Sequence, residues 1–205
     1  GMPPHHLHSP EVFISFGTWR QYARELQRVV KTALRNDDDA EKRAKAITRG
    51  IKGSKEKILT IRDEVLRSVR IVGPSFLELP LNLISNADTT LNEEYGNALD
   101  RAVLLTAMLD EAGFKPEIVL ASKNRSRYAE SFQPMLDIPQ PQFFANPLVR
   151  VRADGVTFGF TDHDRTLSFD GTDFEPESGL TASEGRSGSD LSVDAQDAEG
   201  VLTSD

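Results

Sequence analysis

Apolar side chains in the first 70 residues recur three or four positions apart, which is the spacing of one face of an α-helix. A first helix is predicted after Thr18, because threonine accepts hydrogen bonds from the first turn of a helix. A second is predicted from the acidic cluster at 37–39 to Gly50, since carboxylates stabilise a helix N-terminus. A third follows Ser54, so the pattern predicts three N-terminal helices.

The strongest predicted element is a helix over residues 98–112, which is apolar on most sides and should be buried at the centre of the domain. Gly113 is suited to end it. Residues 116–121 are predicted to form a strand, and residues 148–152 and 156–161 a β-hairpin. N-terminal helices, a central buried helix and a late antiparallel sheet indicate an α+β fold.

Three segments lack a regular pattern. Residues 73–94 and 122–145 contain several Pro, Asn and Asp residues and are predicted to be mostly irregular, and the second is long enough to be a functional or covering loop. From Glu175 onward, the high content of Ser, Gly, Asp and Glu predicts a weakly structured acidic tail or linker over 175–205.

The net charge of −8 is unevenly distributed along the chain. Residues 1–70 hold 15 Lys and Arg against 9 Asp and Glu, whereas residues 170–205 hold one Arg against ten acids. An acidic chain is not typical of proteins that bind nucleic acid through a concentrated basic surface. Because no apolar run approaches the roughly 20 residues of a membrane-spanning helix, membrane insertion of this segment is not expected either.

The chain contains no cysteine, which excludes disulfides, thiolate catalysis and cysteine metal sites. The sequence also lacks a glycine-rich phosphate loop and a carboxylate–histidine metal spacing, so no cofactor and no metal is expected. The first residues have neither the basic head nor the apolar stretch of a signal peptide. The compartment stays open, because a periplasmic or other extracytoplasmic location would need a signal peptide on the full-length protein.

The segment Tyr95-Gly96-Asn97-Ala98-Leu99-Asp100 resembles the start of the catalytic helix in the transglutaminase-like superfamily, whose fold is papain-like, and in particular in a bacterial subgroup of it. The family opens its catalytic helix with a Tyr-Gly-Asp-Cys-Lys-Asp-like motif, and this chain has Tyr95-Gly96-Asn97-Ala98-Leu99-Asp100. The likeness extends through the end of that helix and the following strand, and covers roughly residues 13–170. It implies a transglutaminase-like domain at 13–174, after a disordered leader at 1–12.

The same resemblance implies that the catalytic residues of the family are missing. The family uses a cysteine thiolate, a histidine base and an acid that orients the histidine. Alignment of the motif places Ala98 at the cysteine and Asn146 at the histidine, and the third position falls at Asp162, or at Thr161 if the register shifts by one. A methyl group and an amide cannot replace a thiolate and a base. Whether Ala98 is native or an engineered substitution stays open, although the additional loss at Asn146 favours natural drift.

Five residues are candidates for lining the remaining cleft: Tyr95, Gly96, Asn97, Phe143 and His163. Tyr95 and Asn97 flank the lost nucleophile, and Gly96 is interpreted as permitting tight entry into the helix. His163 lies between two aspartates, a pattern that suits a catalytic or metal site, but a polar turn after a strand explains it more simply. Phe144 and Trp19 are assigned to core packing.

The sequence therefore predicts a catalytically inactive, transglutaminase-like binding or scaffolding module rather than an enzyme. Its partner would be a peptide, a glycan or a flanking domain of the same polypeptide. The alternative is a hydrolase or acyl-transfer enzyme of altered, non-cysteine mechanism, which would use Asp162 or His163 with an oxygen nucleophile or a water.

Overall fold

The computed structural model describes residues 17–121, 141–161, 166–169, 179–184, 194–196 and 201–203. The α-helices are α1 (Trp19–Ala33), α2 (Asp38–Thr48), α3 (Ser54–Ser68), α4 (Ala87–Glu93) and α5 (Ala98–Glu111). The first strands are β1 (Arg70–Ile71), β2 (Tyr95–Gly96), β3 (Glu117–Ala121), β4 (Asn146–Ala153) and β5 (Val156–Thr161). The last are β6 (Thr166–Phe169), β7 (Gly179–Glu184), β8 (Asp194–Gln196) and β9 (Val201–Thr203).

Seven strands form one sheet in the order β6-β5-β4-β3-β7-β9-β8. Strands β3 to β6 pair antiparallel with their neighbours, β7 pairs antiparallel with β3, and β9 pairs parallel with β7. Strands β1 and β2 form a separate parallel pair. The α+β class and the antiparallel character of the main sheet are confirmed.

Helix α5 lies at the centre of the core, as its composition predicts. All residues from Leu99 to Leu109 are buried, and Val103, Leu104 and Met108 have no exposed surface. The helix contacts α2, α3, α4 and β4. A helix surrounded in this way needs apolar side chains on nearly every face, which explains the weak amphipathic pattern of 98–112.

One face of the sheet packs on this helical layer because successive side chains of a strand point to opposite faces. The residues that enter the main core are Ile118, Leu120, Val149, Val151, Phe158 and Phe160. The intervening positions include Glu117 and Arg150, which are paired in register and form an ion pair of 2.5 Å between Nε and Oε1. The two faces of β4 therefore have different environments.

The predicted ends of several elements are confirmed. Thr18 caps α1 in a reciprocal capping box with Gln21, and Gly113 follows α5 with a φ of +91°. The β4–β5 hairpin turns at Asp154 and Gly155, whose φ values are +52° and +78°. Two consecutive positive φ angles are the signature of a type I′ turn, which suits the twist of a hairpin.

The structure differs from the sequence predictions in two regions. Residues 73–94, predicted as mostly irregular, contain α4 and two 3-10 turns at Phe76–Glu78 and Leu81–Leu83. Helix α4 is only two turns long, too short for a clear period. In the segment predicted as an acidic tail, β7 pairs with β3 inside the sheet, so part of that segment is strand. Where the domain ends stays a prediction.

Candidate functional site

The start of α5 is fixed by a reciprocal capping box. The Asn97 side-chain oxygen accepts hydrogen bonds from the backbone N–H groups of Leu99 at 2.8 Å and Asp100 at 3.1 Å. In return, Asp100 Oδ2 accepts a hydrogen bond from the Asn97 backbone N–H at 2.9 Å. Both side chains are buried, so the position of residue 98 between them is tightly set.

Asp100 also ties the helix to a distant loop. Its second oxygen, Oδ1, accepts a hydrogen bond from the backbone N–H of Ser85 at 2.8 Å. Burial raises the pKa of the Asp100 carboxyl, and the hydrogen bonds from Asn97 and Ser85 oppose that rise. Asp100 is thus a structural carboxylate whose acceptors are occupied by backbone amides.

Gly96 leaves room for this arrangement. A Cβ atom at this position would lie 2.9 Å from Asp100 Cβ and 3.2 Å from Asp100 Oδ2. Real Cβ atoms do not approach other carbon atoms so closely, so any larger residue here would displace Asp100. Close packing against Asp100 explains this glycine, whereas the conformational role predicted for it at the helix entry stays a prediction.

The segment before α5 is also held by the end of α3. Val72 N–H donates to the Gly96 carbonyl at 2.9 Å, and Arg101 Nη1 donates to the Val69 carbonyl at 3.4 Å. Tyr95 lies in this parallel β1–β2 pair and is 50% exposed. The Ser85 backbone and the segment at the end of α3 therefore both hold the helix start, while Tyr95 remains at the surface.

Ala98 faces a small cleft of about 30 Å³ between α3, α5 and the β4–β5 hairpin. Eight of its ten described lining residues are apolar, and the other two are arginines: Arg62, Val65, Leu66, Ala98, Arg101, Ala102, Leu105, Pro147, Val149 and Phe160. Among these residues there is no hydroxyl, thiol, imidazole or carboxylate. The described walls therefore supply two cations but neither a nucleophile nor a general base.

The structure brings only part of the predicted site together. Ala98 lines the cleft, and from β4 the cleft receives Pro147 and Val149. Asn146 is the first residue of β4 and is not among the described residues that line the cleft. The assignment of Asn146 to the histidine position stays a prediction.

Other predicted positions fall outside what the structure describes. Asp162 and His163 lie outside the described residues, as does the side chain of Phe143. Phe144 is fully buried in the core, as predicted. Among the described residues there is no group of three or more His, Cys, Asp or Glu side chains that could hold a metal.

Sequence reasoning missed the two arginines. Arg101 lies in the same helix turn as Ala98 and Ala102, so its place in the motif could have indicated the cleft. The apolar composition that predicts burial of this helix does not mark Arg101. Arg62 comes from α3, far away in sequence, and no local pattern marks it.

Comparisons with known proteins give two partial matches. Residues 139–205 match a phage family model described as "Baseplate hub protein, N-terminal attachment domain". This model is not that of transglutaminase-like proteins and covers less than half of the chain. No curated protein matches.

The second match is to a crystal structure of a candidate protease from Parabacteroides distasonis, with a TM-score of 0.52 and 17% identity. It covers 74% of this chain. The two proteins share a fold over this region. Since this chain spans 32% of that protein, the likeness concerns a part of the larger molecule only.

Every helix in the described part of the chain is too short or too polar to span a membrane.

Proposed function

We propose that this chain is a non-catalytic binding module with a transglutaminase-like, papain-like core. Its ligand is a peptide, a glycan or a neighbouring domain that enters the region around the α5 N-terminus. The single observation that carries the proposal is Ala98, which presents a methyl group to the cleft at the first position of a capped, buried helix.

Chemistry explains why this position matters. A helix start carries the positive end of the macrodipole, which stabilises a thiolate at its first position. The chain has this scaffold but contains no cysteine anywhere. A methyl group donates no electron pair, so an enzyme built on this geometry would lack its nucleophile.

The comparisons support different halves of the proposal. The fold shared with the candidate protease supports a core derived from an enzyme. The match of residues 139–205, which include β4 to β9, to the attachment domain of a baseplate hub protein supports a role in attachment. The protease likeness also favours the alternative, an enzyme of non-cysteine mechanism that uses Asp162 or His163.

An activity panel distinguishes these two functions. The purified chain should give no turnover of ester, amide or acyl-transfer substrates above the buffer rate. The matched variant is Ala98→Leu, which fills the cleft and should keep the circular dichroism spectrum of the parent. Turnover that the parent shows and Ala98→Leu loses would overturn the proposal, whereas turnover equal in both proteins marks a contaminating enzyme.

A single introduced thiol tests whether residue 98 has the environment of a catalytic cysteine. Because the chain has no other cysteine, the variant Ala98→Cys carries one reporter group. We expect its thiol pKa to lie below the ordinary value of about 8.5, because the helix start and two guanidinium groups favour the thiolate. The pH dependence of alkylation by iodoacetamide measures it.

The control for this experiment is Asn36→Cys, at an exposed position between α1 and α2. Its thiol should titrate near the ordinary value. If both cysteines titrate alike, or the cysteine at 98 titrates higher, the helix start does not provide the expected field and the transglutaminase-like assignment loses its main support.

A further inference from the structure

Helix α1 carries its cationic side chains on one exposed face. A rotation of about 100° per residue places them within roughly 80° of one another around the helix axis. The opposite side of α1 supplies Leu26 and Val30 to the core. We call the exposed surface the basic face of α1, and its members are Arg20, Arg24, Arg28 and Lys31.

Most of this face has no partner of opposite charge. Arg28 pairs with Glu25 at 2.6 Å between Nη2 and Oε1. Arg20, Arg24 and Lys31 form no ion pair with any of the described residues. In α2, by contrast, every cation of the helix pairs with a carboxylate. The positive charge of α2 is thus balanced by described side chains, and that of α1 is not.

The same cations are unfavourable for the helix that carries them. Arg20 is the second residue of α1, and the first turn contains no acidic side chain. A cation at this end opposes the positive end of the helix dipole. Arg20 and Arg24 are four residues apart, as are Arg24 and Arg28, and like charges at this spacing repel each other. Such departures from the local rules of helix stability are expected mainly at functional sites.

The chemistry of the basic face favours carboxylates as partners. Three of its four cations are arginines, whose guanidinium groups bind a carboxylate through two parallel hydrogen bonds. The helix has 15 residues and is therefore about 22 Å long, a length that about seven extended residues span. The net charge of −8 repels a large polyanion such as DNA or an anionic membrane. A short acidic segment contacts α1 alone and avoids most of that repulsion.

We infer that the basic face of α1 binds an acidic polypeptide segment of a second protein. This surface is separate from the cleft at Ala98, because α1 contributes none of the described residues that line the cleft. The inference therefore goes beyond the proposed function and does not depend on it.

The test is a binding titration by fluorescence anisotropy in about 0.1 M salt, where charges interact over roughly 10 Å. The probe is a labelled peptide of alternating Glu and Ser, about 12 residues long, so that it spans α1 when extended. The same peptide with Gln in place of Glu is the neutral probe. We expect binding of the Glu peptide only, and absence of binding, or equal binding of both peptides, would overturn the inference.

Two triple variants with the same change in net charge locate the site. Removal of three charges from the basic face, by Arg20→Gln, Arg24→Gln and Lys31→Gln together, should weaken binding at least about tenfold, since charge-assisted contacts are lost. The matched control changes Lys52, Lys55 and Lys57 to Gln. Lys55 and Lys57 are about 200° apart around α3 and share no face, so affinity should stay within about twofold. An equal loss in both variants would show attraction by overall charge and refute the assignment.

Other polyanions test the class of partner. The probes are labelled oligothymidylate of the same length and vesicles that contain phosphatidylserine. Both should bind more weakly than the Glu peptide. Binding that is as tight, and that the α1 triple variant loses, would mean that the basic face does not select polypeptides.

The acidic segment of the same chain is the competing occupant. Residues 170–177 hold four acids, and β7, which follows them, contacts α1. Neutralising these four acids to Asn and Gln should change the affinity for the Glu peptide by less than about twofold if the partner is a second protein. A tenfold or larger rise would show that the chain's own acids occupy the face, and would overturn the inference.

Thermal unfolding distinguishes a binding role of these cations from a structural one. Because Arg20 opposes the helix dipole, Arg20→Gln should leave the melting temperature unchanged or slightly raised. The Glu peptide should raise the melting temperature of the parent, since it binds the folded state only. A clear fall in Arg20→Gln would show that Arg20 stabilises the fold and would contradict the inference.

Discussion

Two buried carboxylates show how one chemical group serves different ends in this molecule. Asp100, at the start of α5, is 4% exposed and accepts hydrogen bonds from neutral backbone amides. Glu64, in α3, is 2% exposed and accepts hydrogen bonds from the guanidinium groups of Arg43 and Arg67. Both carboxylates are therefore buried, but Asp100 has neutral hydrogen-bond partners and Glu64 has charged ones.

The pKa values of the two groups move in opposite directions for this reason. Burial raises the pKa of Asp100, and two amide hydrogen bonds only partly oppose it. Burial would also raise the pKa of Glu64, but the two arginines together outweigh it and hold the pKa below its ordinary 4.5. The helix start beside the cleft is therefore positioned by hydrogen bonds, whereas α2 and α3 are joined by the ion pair between Arg43 and Glu64.

The largest expected effect comes from removing the neutral-partner carboxylate. Asp100→Ala leaves the backbone N–H groups of Asn97 and Ser85 without their acceptor inside the protein. The free energy of unfolding should fall by about 3 kcal/mol, since each lost bond to a charged acceptor costs roughly 1.5 kcal/mol. Denaturant unfolding measures this change. The exposed Asp63→Ala is the control and should change stability little, and a similar loss in both variants would contradict the role of Asp100.

The residues of this cap were largely predictable from sequence, whereas its long-range partners were not. Asn97 followed by Asp100 is a local pattern that indicates a helix start, and the buried helix follows from its apolar composition. The hydrogen bond from Ser85 and the contribution of Arg62 depend on how separate elements pack. No periodicity encodes such contacts.

A second example is the start of α2. Asp37 occupies the N-cap position of α2, within the predicted acidic cluster, but its side chain makes no capping hydrogen bond. Asp88, from α4, instead accepts hydrogen bonds from the backbone N–H groups of Asp39 and Ala40, each at 3.0 Å. Because no local pattern predicts α4, the sequence does not indicate that Asp88 caps α2. A helix cap formed by a neighbouring residue in the chain can be predicted from the sequence, whereas a cap supplied by another helix cannot.

The second largest loss of stability is expected when Asp100 is kept but displaced by a larger neighbour. In Gly96→Ala, the new Cβ would meet Asp100 Cβ at 2.9 Å, so the carboxylate must shift and weaken its two amide bonds. A loss of about 2 kcal/mol in unfolding free energy is expected, as for other overpacked sites. Thermal unfolding checks this value. Gly53→Ala, whose Cβ would meet Glu56 at an ordinary 3.7 Å, should cost clearly less, and the reverse order would show that Gly96 is not constrained by Asp100.

The smallest effect is expected at the ion-paired carboxylate. In Glu64→Gln the amide keeps a hydrogen-bonding oxygen, and Arg43 and Arg67 remain in contact with water, with side chains 51% and 76% exposed. At neutral pH the loss should be about 1 kcal/mol. Glu25→Gln removes an exposed pair with Arg28 at the same i,i+3 spacing and should change stability little.

The pH dependence separates the two carboxylates most sharply. A lowered pKa means that Glu64 stabilises the fold above pH 4.5 and that this contribution is lost as the pH falls through its pKa in the folded protein. The stability gap between the parent and Glu64→Gln should therefore close on acidification. Asp100 has a raised pKa, so protonation of its carboxyl favours the folded state. The stability gained in this way is fully present below the ordinary pKa of 3.8 and is lost as the pH rises through the raised value. Urea unfolding of the parent, Glu64→Gln and Asp100→Asn between pH 3 and 7 should thus give gaps with opposite slopes, and parallel slopes would show that the partners do not set the two pKa values.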